Sequence, residues 1–220
     1  MFKLIENILT PEEVTELRDI AAKANFVDGR ISNPHNAAKN NLHLHDQQAQ
    51  QRSVQIMGNA LVSCEEFRNF AFPAQFAPPL ITRYDPEMHY GLHPDAPLMH
   101  VGNTPLRSDV SCTIFLCEPD SYEGGELHIV LGTEHLRIKG PVGSAIVYPS
   151  TTLHEVEPVT SGQRLVGLTF IQSHIPDSHC REILYELGEV AALEGLSMSE
   201  ENYTRIRTVQ SNLQRMWTRA

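Results

Sequence analysis

The chain has 220 residues, enough for one compact domain with a real core or for one domain with a small appendage. With 41% apolar and 20% charged residues it reads as an ordinary globular protein, and a formal charge of −10 argues against broad electrostatic binding to nucleic acid or to an anionic membrane. The opening residues MFKLIENILTPEE lack the apolar run of a signal peptide, and no stretch approaches the roughly 20 apolar residues of a membrane span.

In chain order, Thr10-Pro11-Glu12-Glu13 predicts a helix start: Thr caps, Pro takes the first helical position and Glu reaches back. Val14, Leu17, Ala21 and Ala24 follow at helical spacing. Residues 25–53, rich in Asn, Gln and His, show little apolar periodicity and are expected to be irregular, polar and at the border of a site. Residues 54–72 predict a helix that buries Ile56, Ala60, Leu61 and Phe67.

From Leu80 the texture changes to short apolar runs at 80–84, 110–117, 126–130, 144–148 and 165–172. Turn signals separate them: PDSYEGGE, LGTE, KGPVG and TSGQR. Strands with tight turns and no helices between them argue for an antiparallel sandwich or jelly roll over about residues 80–173. Gly124 and Gly125 suit backbone angles that other residues avoid. Past Pro176 the pattern is helical again, with Ile183, Leu184, Leu187, Val190 and Ala191 on one stripe ended by Gly195. Ser197 with Glu200 predicts a second capping box, opening a helix through Tyr203, Ile206, Leu213 and Trp217. The expected layout is a mainly β protein with flanking helices. A domain over 1–175 is followed by a C-terminal helical hairpin, 176–220, which offers a surface for a homodimer.

Four residues carry most of the chemical signal: His93, Asp95, His154 and Arg164. Residues two apart on a strand share a face, so His93 and Asp95 can aim at one point that His154 reaches from elsewhere. Two imidazoles and one carboxylate on one side of an octahedral ion leave three positions open, the pattern of non-haem Fe(II) oxygenases, although Zn, Mn or Ni would also bind such a set. With eleven histidines in the chain, any single one is more often a surface or hydrogen-bonded residue. His43 and His45, followed by Asp46, have metal-like spacing but no matching third element, and are candidates for the substrate entrance. Arg107, Ser108 and Asp109 suit a buried polar brace at a strand start. The four cysteines show no CxxC spacing, which fits a reducing cytoplasm, and Cys112 and Cys117 are expected in the core.

The segments RYDPEMHYGLHPDAP (83–97), RSDVSCTIFLCEPDSYEGGELHI (107–129) and GSAIVYPSTTLHEVEPVTSGQR (143–164) resemble the PKHD-type hydroxylases, the bacterial YbiX/PiuC group of prolyl-4-hydroxylase-like oxygenases. The resemblance implies a double-stranded β-helix with His93, Asp95 and His154 as iron ligands and Arg164 on the distal carboxylate of 2-oxoglutarate. Tyr84 and Tyr90 would face the co-substrate. It further implies Fe(II), 2-oxoglutarate and O2 as reaction partners, with ascorbate as a reductant. A peptide, amino acid or small metabolite would be hydroxylated with release of succinate and CO2, in a setting linked to iron uptake. Related animal enzymes carry a Tyr on the strand after HxD, where this chain reads Thr113-Ile114-Phe115, which puts the hydrogen bonds around the distal carboxylate in question. A non-catalytic sensor on the same scaffold is the alternative, and the retained Arg164 counts against it. Repair of alkylated nucleic acid, which shares the motif order, is disfavoured by the charge.

Overall fold

The capping box at Thr10 forms as the sequence predicts. In the computed structural model, which describes residues 1–32 and 36–219, Thr10 Oγ1 accepts from the Glu13 N–H at 3.2 Å and Glu13 Oε2 accepts from the Thr10 N–H at 2.9 Å. The helix it opens, α1 (Pro11–Lys23), buries Val14, Leu17 and Ala21. The helix predicted over 54–72 is two helices. α2 (Gln47–Ser63) starts earlier, capped by Asp46, and α3 (Glu65–Ala71) ends where Phe72 turns left-handed at φ 46°. Its predicted inward residues Ile56, Ala60, Leu61 and Phe67 are all buried.

These helices cover one face of an eight-stranded antiparallel sheet whose central strands are Ala145–Pro149, Val110–Phe115, Arg164–Ser173 and Leu80–Tyr84. All six residues of Val110–Phe115 are buried, because helices pack on one face and a second sheet on the other. Met57 of α2 comes so close to Gly167 that a Cβ there would lie 2.3 Å from its Sδ, so glycine sets the helix-to-sheet distance. The second sheet has five strands, ordered Glu134–Ile138, Leu127–Leu131, Leu153–Val156, His89–His93 and Lys39–Asn40. Phe115, Leu127, Ile129, Ile146, Tyr148 and Val166 pack between the two sheets. Two facing antiparallel sheets with flanking helices make the expected double-stranded β-helix.

The region 25–53 differs from the expectation of an irregular stretch. Phe26–Asp28 and Leu42–Leu44 extend the large sheet, Lys39–Asn40 adds an edge to the small one, and α2 begins at Gln47. Strands of two or three residues cannot display an alternating pattern, and the first turn of α2 is polar, so neither period appears in the sequence. The C-terminal hairpin is α4 (Ser178–Glu194) and α5 (Glu200–Trp217). Its second cap is Ser199, whose hydroxyl accepts from the Asn202 N–H, rather than Ser197, which turns back to the Glu194 carbonyl. Among the described residues, no helix is long and apolar enough to cross a membrane.

Candidate active site

His93 closes the strand His89–His93 and His154 lies on the neighbouring Leu153–Val156, directly opposite it in register. Their rings come within 4.5 Å, centroid to centroid. Asp95 lies past the end of its strand, so the convergence does not come from strand alternation as the sequence suggested. Its N–H instead donates to the Ser150 carbonyl at 3.3 Å, which folds the chain back and brings Oδ1 to 3.9 Å from His93 Nε2 and 3.7 Å from His154 Nε2. Each histidine Nδ1 faces a main-chain carbonyl, Gly91 at 2.7 Å and Thr152 at 3.0 Å. A carbonyl only accepts, so Nδ1 carries the proton and Nε2 presents its lone pair to the gap between the three residues. Burial, with His154 next to it, pushes the His93 imidazole below the ordinary histidine range and keeps it neutral. Neutral imidazoles with free Nε2 atoms beside a carboxylate are what a divalent metal requires.

Arg164 opens the strand Arg164–Ser173 and is 1% exposed. Its neighbours are neutral: the Tyr84 ring, 5.0 Å from the guanidinium carbon, and the Tyr122 phenol. Nε is buried with no partner, and among the described residues Arg164 forms no ion pair. A buried guanidinium without an anion is costly, which fits a site built for an anionic ligand. Arg164, His93, Asp95 and His154 all line one cavity of about 540 Å³, walled by Leu127, Val156, Val166, Leu168 and Phe170. The residues present therefore suit both a divalent metal and a dicarboxylate beside it.

The profile of the 2OG-Fe(II) oxygenase superfamily matches residues 79–172. A PKHD-type hydroxylase from Sphingopyxis alaskensis is 57% identical over 219 residues, covering 100% of both chains. The chain belongs to the PKHD-type hydroxylases. It is an Fe(II)- and 2-oxoglutarate-dependent dioxygenase. Two solved structures share the fold. A Trichoplax adhaerens prolyl hydroxylase in complex with a hypoxia-inducible-factor peptide fragment has a TM-score of 0.60 at 16% identity, covering 77% of this chain and 82% of that one. HygX from Streptomyces hygroscopicus, with nickel, 2-oxoglutarate and hygromycin B bound, has a TM-score of 0.55 at 15% identity, with the same coverage of 77% and 82%.

Both tyrosines singled out in this hydroxylase line the cavity. Tyr84 pairs with Arg164 across the sheet, and its phenol oxygen accepts from Asn41 Nδ2 at 2.9 Å. The Tyr90 ring stacks on His93 at 3.7 Å and fixes that imidazole's plane. His43 and His45 are separated by the structure. His43 is buried in the cavity wall, whereas His45 is exposed and lies outside the lining. Thr113 occupies the cavity side of its strand, where the sequence left a phenol missing, and the phenol of Tyr148 from the adjacent strand hydrogen-bonds to it.

Sequence reasoning missed a row of hydroxyls behind Asp95. Ser111 Oγ donates to Asp95 Oδ2 at 2.5 Å, Ser150 lies 2.7 Å from Ser111, and Ser108 donates to Ser150 at 2.8 Å. A carboxylate can only accept, so the Ser111 proton is spent on Asp95 and Ser150 must donate to Ser111. The row thus has one polarity and leaves Oδ1 as the oxygen facing the histidines. A signal existed: Ser111 and Thr113 alternate with apolar residues in an otherwise buried strand, marking its cavity face. Arg107 and Asp109 form the expected brace, with Nε and a terminal guanidinium nitrogen donating at 2.7 and 2.9 Å, and the same carboxylate accepts the Ser173 N–H.

Proposed function

We propose that His93, Asp95 and His154 hold the iron of this dioxygenase. Arg164 would receive the distal carboxylate of 2-oxoglutarate, and the cavity would admit a peptide or small molecule for hydroxylation. The observation that carries this reading is the buried, unpaired Arg164 opening into the same cavity as three convergent ligands. Bound together, Fe(II) and 2-oxoglutarate supply O2 activation, with succinate and CO2 as co-products. The protein supplies geometry and dryness. Arg164 offers a planar fork that matches a carboxylate. Tyr84, already accepting from Asn41, keeps its own proton to donate toward the co-substrate, and burial holds that phenol protonated. The Tyr90 stack and the two main-chain carbonyls orient the imidazoles. The apolar wall excludes water from the reacting carbon.

Ascorbate as reductant and a cytoplasmic setting belong to the same reading. Residues 1–175 would form the catalytic domain and 176–220 a helical extension through which two copies pair. Supporting that pairing, no residue of α5 is fully buried within one chain, and Leu193, Val209 and Met216 stand exposed on the hairpin. Light scattering tests this, and a monomer at high concentration would sink it. For the site, metal-free protein is titrated anaerobically with Fe(II) and then 2-oxoglutarate. A weak visible metal-to-ligand charge-transfer band is expected, absent in His93→Ala and weakened in Arg164→Ala. Tight Fe(II) binding without the band would remove the Arg164 assignment; no Fe(II) binding would remove the triad.

A further inference from the structure

The cavity contains a second buried cation that the co-substrate does not need. Lys39 lies on the edge strand of the small sheet, opposite Tyr90 in register, and is 7% exposed. Its ammonium donates to Ser32 Oγ at 2.6 Å and sits 5.2 Å from the centre of the Tyr90 ring, both neutral groups. Among the described residues it forms no ion pair, and residues 33–35 and 220 carry no acidic side chain. Of the carboxylates that act on it, Asp28 is held by Arg30 and Asp95 belongs to the triad. Burial lowers the lysine to about 8, so it stays largely charged at neutral pH.

The charges inside the cavity can be counted. Asp95 and a 2-oxoglutarate dianion are balanced by Fe(II) and Arg164. His43, which burial lowers to about 4, is neutral. Lys39 is then the one unbalanced charge among the buried groups in the wall, in a space where an unpaired ion is expensive. Arg164 and Lys39 also belong to different sheets, so they face the cavity from different walls. The lining also holds Ser32, Asn36 and Thr82, and the Thr82 Oγ1 is buried without a hydrogen-bond partner.

We infer that the substrate to be hydroxylated presents one anionic oxygen group, a carboxylate or a group of like charge, to Lys39, with its carbon skeleton against the apolar wall. This deepens the function proposed above and rests on the assignment of His93, Asp95, His154 and Arg164. The protein loaded anaerobically with Fe(II) and saturating 2-oxoglutarate is titrated with benzoate and with benzamide, its neutral counterpart of the same shape. Benzoate should bind about tenfold more tightly, as a charge-assisted hydrogen bond in a buried site predicts, without loss of the charge-transfer band. The preference should fall below about twofold in Lys39→Met and survive in Lys39→Arg, with the band and 2-oxoglutarate affinity unchanged in both. The inference is overturned if wild type shows no preference, if the preference survives Lys39→Met, or if benzoate erases the band by displacing 2-oxoglutarate. A Lys39→Met protein that binds 2-oxoglutarate poorly would also overturn it, by giving the lysine to the co-substrate. No band in the wild-type protein would instead remove the underlying site, a failure distinct from any of these.

Discussion

The strand Leu153–Val156 serves two histidine–carboxylate clusters, one on each face, and their difference shows what separates a metal site from a hydrogen-bonded surface. On the inner face His154 meets His93 and Asp95; on the outer face Glu155 meets His128, with Glu157 nearby. By distance alone both sets gather around a point. The outer one is spent. His128 Nδ1 donates to Glu155 at 2.6 Å, its Nε2 is engaged with His135 Nδ1 at 2.8 Å, and Glu157 is taken by Arg137 at 2.8 Å. The inner one keeps two Nε2 lone pairs and one carboxylate oxygen aimed into a cavity. Both sets mix imidazole and carboxylate, two to one inside and one to two outside, but only the inner set has spare coordination.

The largest effect that could break this contrast is loss of an inner ligand. His93→Ala, Asp95→Ala or His154→Ala should each weaken Fe(II) binding by more than about 100-fold, beyond what losing a hydrogen bond behind a ligand costs. His128→Ala should leave Fe(II) affinity within about twofold. Isothermal titration under argon measures both, and equal losses on the two faces would end the distinction.

Two buried arginines offer the same test with organic ligands. Arg181 is fully engaged, donating to the Ile175 and Pro176 carbonyls at 2.7 and 2.8 Å and to that of Asp109 at 3.3 Å. Arg181→Met should therefore destabilise the fold, by about 3 kcal/mol, by stranding those carbonyls. Arg164→Met should weaken 2-oxoglutarate by about 100-fold. In the ligand-free protein it should leave the melting temperature unchanged or higher, because it removes an unpaired buried charge. A lower melting temperature for Arg164→Met would mean that the arginine is structural.

What the sequence disclosed follows the same division. The convergence of His93, Asp95, His154 and Arg164 on one cavity was readable because the order and spacing of these residue types are specific. The strands at Leu80–Tyr84 and Arg164–Ser173 were readable from short, mostly apolar runs bounded by turn signals. Lys39 was not, and His43 was marked only by its spacing with His45, without its strand. Lys39 and His43 enter the cavity on strands of two and three residues, added to sheet edges by pairing with residues about fifty and forty positions later. Such short strands owe their place to tertiary contacts, which no local period reports. Ser150 was hidden for a similar reason, since its role depends on meeting Ser111 and Ser108 across the fold. The second cap shifted from Ser197 to Ser199 because two serines two positions apart each offer the same local chemistry.

The serine row gives a smaller effect on the inner cluster. Ser111→Ala removes the donor to Asp95 Oδ2 and lets that carboxylate rotate, so Fe(II) affinity should fall about tenfold. The charge-transfer band should shift in position, a change that a loss of packing alone would not cause. Ser111→Thr, which keeps the hydroxyl, should restore both. A Ser111→Ala protein with unchanged affinity and band would show that Asp95 is fixed by its backbone bond to Ser150 instead.

The smallest effect concerns His43, a cavity histidine with neither a ligand role nor a carboxylate partner. Burial is the main cause that lowers it to about 4, Lys39 adds to the shift, and Asp28 opposes it. The unfolded chain takes up the proton near 6.5 while the folded one resists until about 4. Stability from the neutral ring is therefore complete above the unfolded value. It is lost progressively as pH falls from 6.5 toward 4, and below that the loss levels off. Between pH 7.5 and pH 5 this should cost at most about 2 kcal/mol in urea unfolding. His43→Gln should lose that part of the acid sensitivity while binding Fe(II) as before. Should the variant and the wild type lose stability in parallel, the acid response belongs to other groups and His43 is not held neutral by its wall.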